Sequence, residues 1–292
     1  MTATGIYQAS PIKRIRRTKQ QMRASAEALR EILRDQQPLT VRGAYYQAVV
    51  HGLVQKTEDG YAQVQRDLLA MRRAGELPYH WIVDGTRWQR KPRSYTSLAD
   101  CLNNAARYYR RDLWADSGVY VEIWCEKDAL SGVLYDVTSR YDVPLMASRG
   151  QSSETFLYSA GEAIEAQGKT TFIYILSDFD GAGESIFRKI EEGLHRHAPT
   201  TTIYCDRLAV TESQISVYNL PTRPPKSCDK KKFDYCVELD AIPASILRAM
   251  TEQMILRHVD QRKLELLETV EASERQALRL WADQIEAGEE NQ

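Results

Sequence analysis

The chain offers three carboxylates at two places suited to phosphate chemistry. Asp178 and Asp180 follow an apolar run over residues 171–177, and Glu126 follows a second run over residues 119–125. Both runs read as short strands, and each leads at once into a helix-like segment. In an open parallel sheet, ligands collect beyond the carboxyl ends of strands, where the chain fans out over a crevice. Alternation puts Asp178 and Asp180 on one side of the chain. Oxygen donors with no cluster of His or Cys predict a Mg²⁺ site at Glu126, Asp178 and Asp180, because that ion takes carboxylates, water and phosphate oxygens. The plainer alternative is that Asp178 caps a helix while Asp180 and Gly181 make a turn. Capping alone does not call for Glu126 at the parallel position.

A second group lies near the amino terminus. Arg42 precedes Tyr46 by four residues, so on a helix the two side chains project from one face. A phenol with an unperturbed pKa of about 10 needs cationic or basic help to attack near neutral pH, and a guanidinium supplies it. The alternative role for Tyr46 is core packing beside Tyr45. Arg149, after a third apolar run over residues 144–148, is expected to face the same crevice as the carboxylates.

Holding these groups takes two kinds of architecture. Helical segments are predicted over residues 13–34, from residue 41 to about 50, and over 60–73, the last with an apolar stripe at 61, 64, 68 and 71. A short strand at 81–83 and a turn at Asp84 and Gly85 follow. Helix, helix and small strand trailing basic residues make a winged helix, a helix-turn-helix variant, with its wing near residues 79–93. After a helical stretch at 96–113, strands at 119–125, 144–148, 171–177 and 201–208 alternate with helices at 127–139, 153–167 and 183–196. This alternation predicts right-handed crossovers and a parallel sheet. An irregular loop over 219–232, a last strand at 233–239 and a helix after Pro243 complete the reading. Residues 163–170 nearly match a phosphate-binding P-loop, but they run from helix into strand, the reverse of what that loop requires. The expected fold is therefore α/β. A basic N-terminal helix and winged-helix DNA-binding domain (1–113) precede a Rossmann-like parallel-sheet domain (114–250), and a C-terminal helix with an acidic tail (251–292) ends the chain.

Net charge is −1 overall but sharply divided. Of 39 Lys and Arg and 40 Asp and Glu, residues 1–111 hold 20 and 9. A basic first part joined to an acidic remainder suits a polyanion grip beside a cation site; the other explanation is attraction between the two parts. Arg87, Arg90, Lys91 and Arg93, with Arg107, Arg110 and Arg111 nearby and Trp88, Tyr95, Tyr108 and Tyr109 interleaved, are the expected phosphate contacts to DNA. Five cysteines without a CxxC pair or a secretory leader predict a cytoplasmic, DNA-associated protein with reduced thiols. No run reaches membrane-spanning length.

Taken in this order, the motifs resemble a Toprim domain preceded by a catalytic-tyrosine winged helix. That combination is found in the A subunit of type IIB DNA topoisomerases and in the related meiotic enzyme that makes double-strand breaks. A Toprim Glu follows the first strand and an Asp-x-Asp follows the third, and Glu126 and Asp178-Phe-Asp180 match them. The family nucleophile is the second aromatic of Arg-x-x-aromatic-Tyr, so Arg42-Gly-Ala-Tyr45-Tyr46 nominates Tyr46. The resemblance covers residues 38–250 and looks like a stand-alone, shortened A-subunit homologue, with no ATP-binding motif of its own. It implies a Mg²⁺-dependent topoisomerase-like enzyme that cuts double-stranded DNA and leaves Tyr46 linked to a 5′-phosphate. It also implies a homodimer in which the tyrosine of one protomer works with the metal of the other, and it leaves open an ATPase B-type subunit. Two alternatives stay open: a Toprim nuclease using metal-activated water, and a non-catalytic DNA-binding protein.

Overall fold

The computed structural model describes residues 17–82, 92–225 and 233–289. Its centre is a four-stranded, all-parallel sheet made of β1 (Val119–Cys125), β2 (Leu145–Ala147), β3 (Thr170–Leu176) and β4 (Ile203–Ala209), in the order β2-β1-β3-β4. The central strands are rich in β-branched and aromatic residues and buried on both faces, as a parallel sheet demands. Cys125 pairs with Leu176 at the carboxyl ends of β1 and β3. That register brings Glu126 level with the residues that follow β3.

Helices cover both faces. After a 3-10 turn at Asp128–Leu130, α5 (Ser131–Arg140) returns the chain to β2, α6 (Glu154–Gln167) leads to β3, and α7 (Gly181–His197) leads to β4. One face buries Trp124, Ile173 and Ile175 under Leu157, Ile164, Ile186 and Ile190 of α6 and α7. The other buries Val121, Ile123, Cys125 and Leu176 with Val133 and Leu134 of α5 and Leu247 of α9 (Ala244–Leu256). Sequential order reverses between β1 and β3, so the crevice beyond their carboxyl ends is the topological switch point. A short helix absent from the sequence reading, α8 (Glu212–Val217), starts at a Thr211–Gln214 capping box.

The amino-terminal part holds α1 (Lys19–Gln36), α2 (Val41–Val50) and α3 (Glu58–Arg73), each begun by a threonine whose hydroxyl accepts a first-turn N–H. Leu29, Leu33, Ala44, Ala48, Val64, Leu68 and Met71 pack among them, and this apolar cluster continues into Leu239, Ile242 and the sheet. In place of the strand expected at 81–83 there is a 3-10 turn at Tyr79–Trp81 and a single parallel bridge between Leu39 and Ile82. The turn beginning after Pro78 takes in Trp81, Ile82 makes the bridge, and residue 83 lies outside the described residues. The expected wing lies for the most part outside the described residues, as do Arg87, Arg90 and Lys91. The helix expected at 96–113 is shorter, α4 (Leu98–Tyr108), and lies along α10 (Gln261–Glu289), with the Arg275 guanidinium donating to the Tyr109 carbonyl at 2.7 and 2.9 Å. The last strand expected at 233–239 is two isolated antiparallel bridges, Arg223 with Cys236 and Phe179 with Val237. Its backbone bonds go to two different segments, so no continuous ladder forms. Among the described residues no helix is long and apolar enough to cross a membrane.

Candidate active site at the β1–β3 switch point

Backbone bonds place the three sequence-selected carboxylates. The Glu126 N–H donates to the Leu176 carbonyl at 2.9 Å, which extends the β1–β3 pairing by one residue. The Asp178 N–H donates to Glu126 Oε2 at 2.9 Å, so these two acids sit side by side. Phe179 exchanges both backbone bonds with Val237, at 2.8 and 3.1 Å, and this turns Asp178 and Asp180 toward the segment that carries Glu238. Asp178 Oδ1 accepts from the Leu239 N–H at 2.7 Å. Asp180 caps α7, its Oδ1 accepting from the Gly183 N–H at 2.9 Å, and its Oδ2 receives Arg223 Nη2 at 2.7 Å. Capping thus belongs to Asp180, not to Asp178 as the plainer alternative had it.

Four charged residues that the sequence reading did not select complete the crevice. Lys127 Nζ lies 2.8 Å from each of Asp178 Oδ1, Glu238 Oε2 and Asp240 Oδ2. Arg223 Nε donates to Glu238 Oε1 at 3.0 Å. Glu238 therefore joins the Lys127 and Arg223 cations, and it accepts from a third, Arg42 Nη2, at 3.2 Å. The sequence did carry a signal: Glu238-Leu-Asp240 repeats the acid-x-acid spacing of Asp178-Phe-Asp180, and Lys127 directly follows Glu126. The missing information was that a loop 60 residues downstream folds back onto the end of β3.

Arg42 and Tyr46 reach this crevice on α2, which is docked by Gln47 Nε2 donating to the Ala241 carbonyl at 3.2 Å. Arg42 and Tyr46 lie one helical turn apart and line one cavity, as the four-residue spacing predicts. Tyr46 is 5% exposed. Burial, with Glu238 nearby, pushes its phenol up to about 12 against the pull of Arg42. Tyr46 lines a cavity of about 290 Å³ with Arg42, Tyr45, Lys56 and Tyr61. Burial lowers the Lys56 ammonium, which stands 5.4 Å from the Tyr46 ring centre. A second cavity, of about 450 Å³, is lined by Arg42, Glu126, Lys127, Asp128, Arg149 and Asp240. Arg42 lines both.

Arg149 does face the crevice. It is held at φ +51°, and the next N–H, of Gly150, donates to the Glu126 carbonyl at 3.0 Å while the guanidinium pairs with Asp128 at 3.1 Å. Of the expected DNA contacts, Arg93 is exposed and lies 5.2 Å over the Tyr108 ring. Arg110 and Arg111 are engaged by their own chain, through the Ser139 carbonyl at 2.6 Å and Glu274 at 3.0 Å.

The fit to a divalent cation turns on charge and free oxygens. Five carboxylates (Glu126, Asp178, Asp180, Glu238, Asp240) are linked to three cations (Arg42, Lys127, Arg223), an imbalance equal to one divalent ion. Burial raises the carboxyls of Glu126 and Asp178, and neighbouring Glu238 adds to both shifts; Lys127 opposes them without cancelling burial. Burial works against the Glu238 carboxylate too, but Lys127, Arg42 and Arg223 outweigh it and bring Glu238 below the ordinary range. Glu126 Oε1 and Asp178 Oδ2 lie outside the bonds just described. Among the described residues no three His, Cys, Asp or Glu side chains are already grouped as a cage. One or two carboxylates, completed by water and substrate phosphate, are a sufficient protein share for Mg²⁺. The pair Glu126 and Asp178 fits that requirement, with Asp180 joining only on release from Arg223.

No protein-family model matches the chain, and no curated protein matches it.

Proposed function

We propose that the chain is a Mg²⁺-dependent DNA-cleaving transesterase of the type IIB topoisomerase A-subunit kind, with α1–α3 as a winged-helix DNA-binding module and the parallel-sheet part as a Toprim domain. The observation that carries the reading is the arrival of Arg42 and Tyr46, on α2, at the switch-point crevice where Glu126 and Asp178 stand side by side. Neither feature alone points to phosphodiester chemistry as well as the two together. The Tyr46 phenol passes its proton to water as its oxygen forms a bond to the scissile phosphorus, the bond from phosphorus to the ribose 3′ oxygen breaks, that oxygen takes up a proton, and the protein is left on the 5′ end. Arg42 stabilises the phenolate and the phosphate it attacks. Glu126, ionised in the charge balance of the crevice, relays a proton from water to the leaving 3′ oxygen. Mg²⁺ held by Glu126 and Asp178 would supply charge neutralisation on the phosphate. Arg93 and Arg149, with Arg87, Arg90 and Lys91, provide the phosphate contacts. Double-stranded DNA is the substrate, and a homodimer supplies one nucleophile per strand.

The burial of Tyr46 favours a second reading, in which metal-activated water cuts the strand and Tyr46 packs the interface. Incubating the protein with plasmid and Mg²⁺, then denaturing with detergent, separates the two. Protein bound to 5′ ends in the wild type and lost in Tyr46→Phe is the expected result. Free ends that persist in Tyr46→Phe and vanish in Asp178→Ala would establish the water reading instead.

A further inference from the structure

We propose that the Lys127 ammonium is a resident cation of the crevice, holding the place a second divalent ion would need, so that each chain binds one divalent cation and not two. The inference deepens the metal reading above and rests on it. An ammonium has three N–H donors; Lys127 donates to Glu238 and Asp240 at 2.8 Å each and is ion-paired with Asp178 at 2.8 Å, so three carboxylates from two distant segments surround it. This is an ion's coordination shell built around a side chain. The stem is fixed as well: Lys127 follows directly on Glu126, and its carbonyl accepts from Cys125 Sγ at 3.4 Å.

The remaining charge is too small for two divalent ions. Two-metal sites put the ions about 3.5–4 Å apart, adding four positive charges. Here five linked carboxylates already face three cations, and two negative charges are left. An independent sign of unmet demand for a cation or donor is Asp240. Its side chain is 0% exposed, its Oδ2 is held by Lys127, and among the described residues its Oδ1 has no hydrogen-bond partner. Asp240 lines the 450 Å³ cavity together with Glu126. An ion entering there meets Glu126, whose Oε2 accepts from the Asp178 N–H, and finds the place between Asp178, Glu238 and Asp240 already filled by the Lys127 nitrogen.

Counting bound Mn²⁺ per chain by electron paramagnetic resonance tests this without recourse to activity. One ion is expected in the wild type, and two in Lys127→Met, where the vacated pocket accepts a second. If Lys127→Met unfolds without metal, native circular dichroism is expected to return on adding Mn²⁺. Two ions in the wild type would overturn this inference alone, as would an unchanged count in a folded Lys127→Met or no recovery of an unfolded one. No bound ion in the wild type would overturn the metal reading with it.

Discussion

A methyl group at residue 183 would stand 2.1 Å from the carbonyl oxygen of Asp178 and 3.0 Å from its carbon. Those atoms are backbone, so nothing flexible can give way. Gly183 is what lets α7 start close enough to β3 for one turn to hold Asp178 toward Glu126 and Asp180 over the helix end. Overpacking at such a contact costs about 1–3 kcal/mol. Gly183→Ala is expected to lower the melting temperature and to weaken Mn²⁺ binding several-fold, because the turn carrying both aspartates must open. Normal Mn²⁺ affinity in that variant would remove Asp178 from the ion's shell. The glycine was visible in the sequence beside Asp178 and Asp180; its reason was not, since the clash is with backbone that only the folded turn brings near.

The central strand carries a consequence of its own. β1 alternates its faces, and on the face covered by α6 and α7 it places Glu122, which is 2% exposed, accepting from Tyr120 at 3.0 Å and from Trp124 at 2.7 Å. Burial pushes this carboxyl up to about 7 from 4.5, although both donors pull it down. The folded chain therefore keeps a proton that the unfolded chain has already released, and stability falls as pH rises from about 4.5 through 7. At about 1.4 kcal/mol per unit, the loss at pH 8 is on the order of 3 kcal/mol. Glu122→Gln cannot take on the charge, so it is expected to melt close to the wild type at pH 5 and well above it at pH 8. A melting difference that does not change with pH would show that the carboxylate is solvated. At this scale the strands were well legible: 119–125 is β1 itself, and β3 and β4 each lie within two residues of their expected ends. The expected strand at 233–239 was not, because backbone partners rather than β-forming side chains decide whether an extended segment becomes a strand.

Across the whole molecule, α2 and the switch-point crevice of the same chain are in contact through Arg42, Glu238 and Asp240, at 3.2 and 3.8 Å. A site built within one chain makes a prediction opposite to one shared between protomers. When Tyr46→Phe and Asp178→Ala chains are mixed and allowed to exchange, a shared site would leave one intact centre per heterodimer and cut one strand. The within-chain arrangement is expected to give no protein-linked nicks from that mixture, although wild-type chains diluted with either variant would still give them. Nicking restored by mixing would place the tyrosine opposite the partner's carboxylates.

The sequence by itself determined the alternation of strands and helices, the parallel sheet and the carboxylates at two strand ends, because periodicity and strand-end position are local properties. The helical spacing of Arg42 and Tyr46 is local in the same way. Only the tertiary structure decided that Glu238 and Asp240 join those carboxylates, that Lys127 neutralises three of them, and that Tyr46 is buried beside them. Those facts depend on contacts between segments roughly 50 to 200 residues apart. A buried charge is tolerated only where an opposite charge is brought to it, and no local pattern records which distant loop brings it.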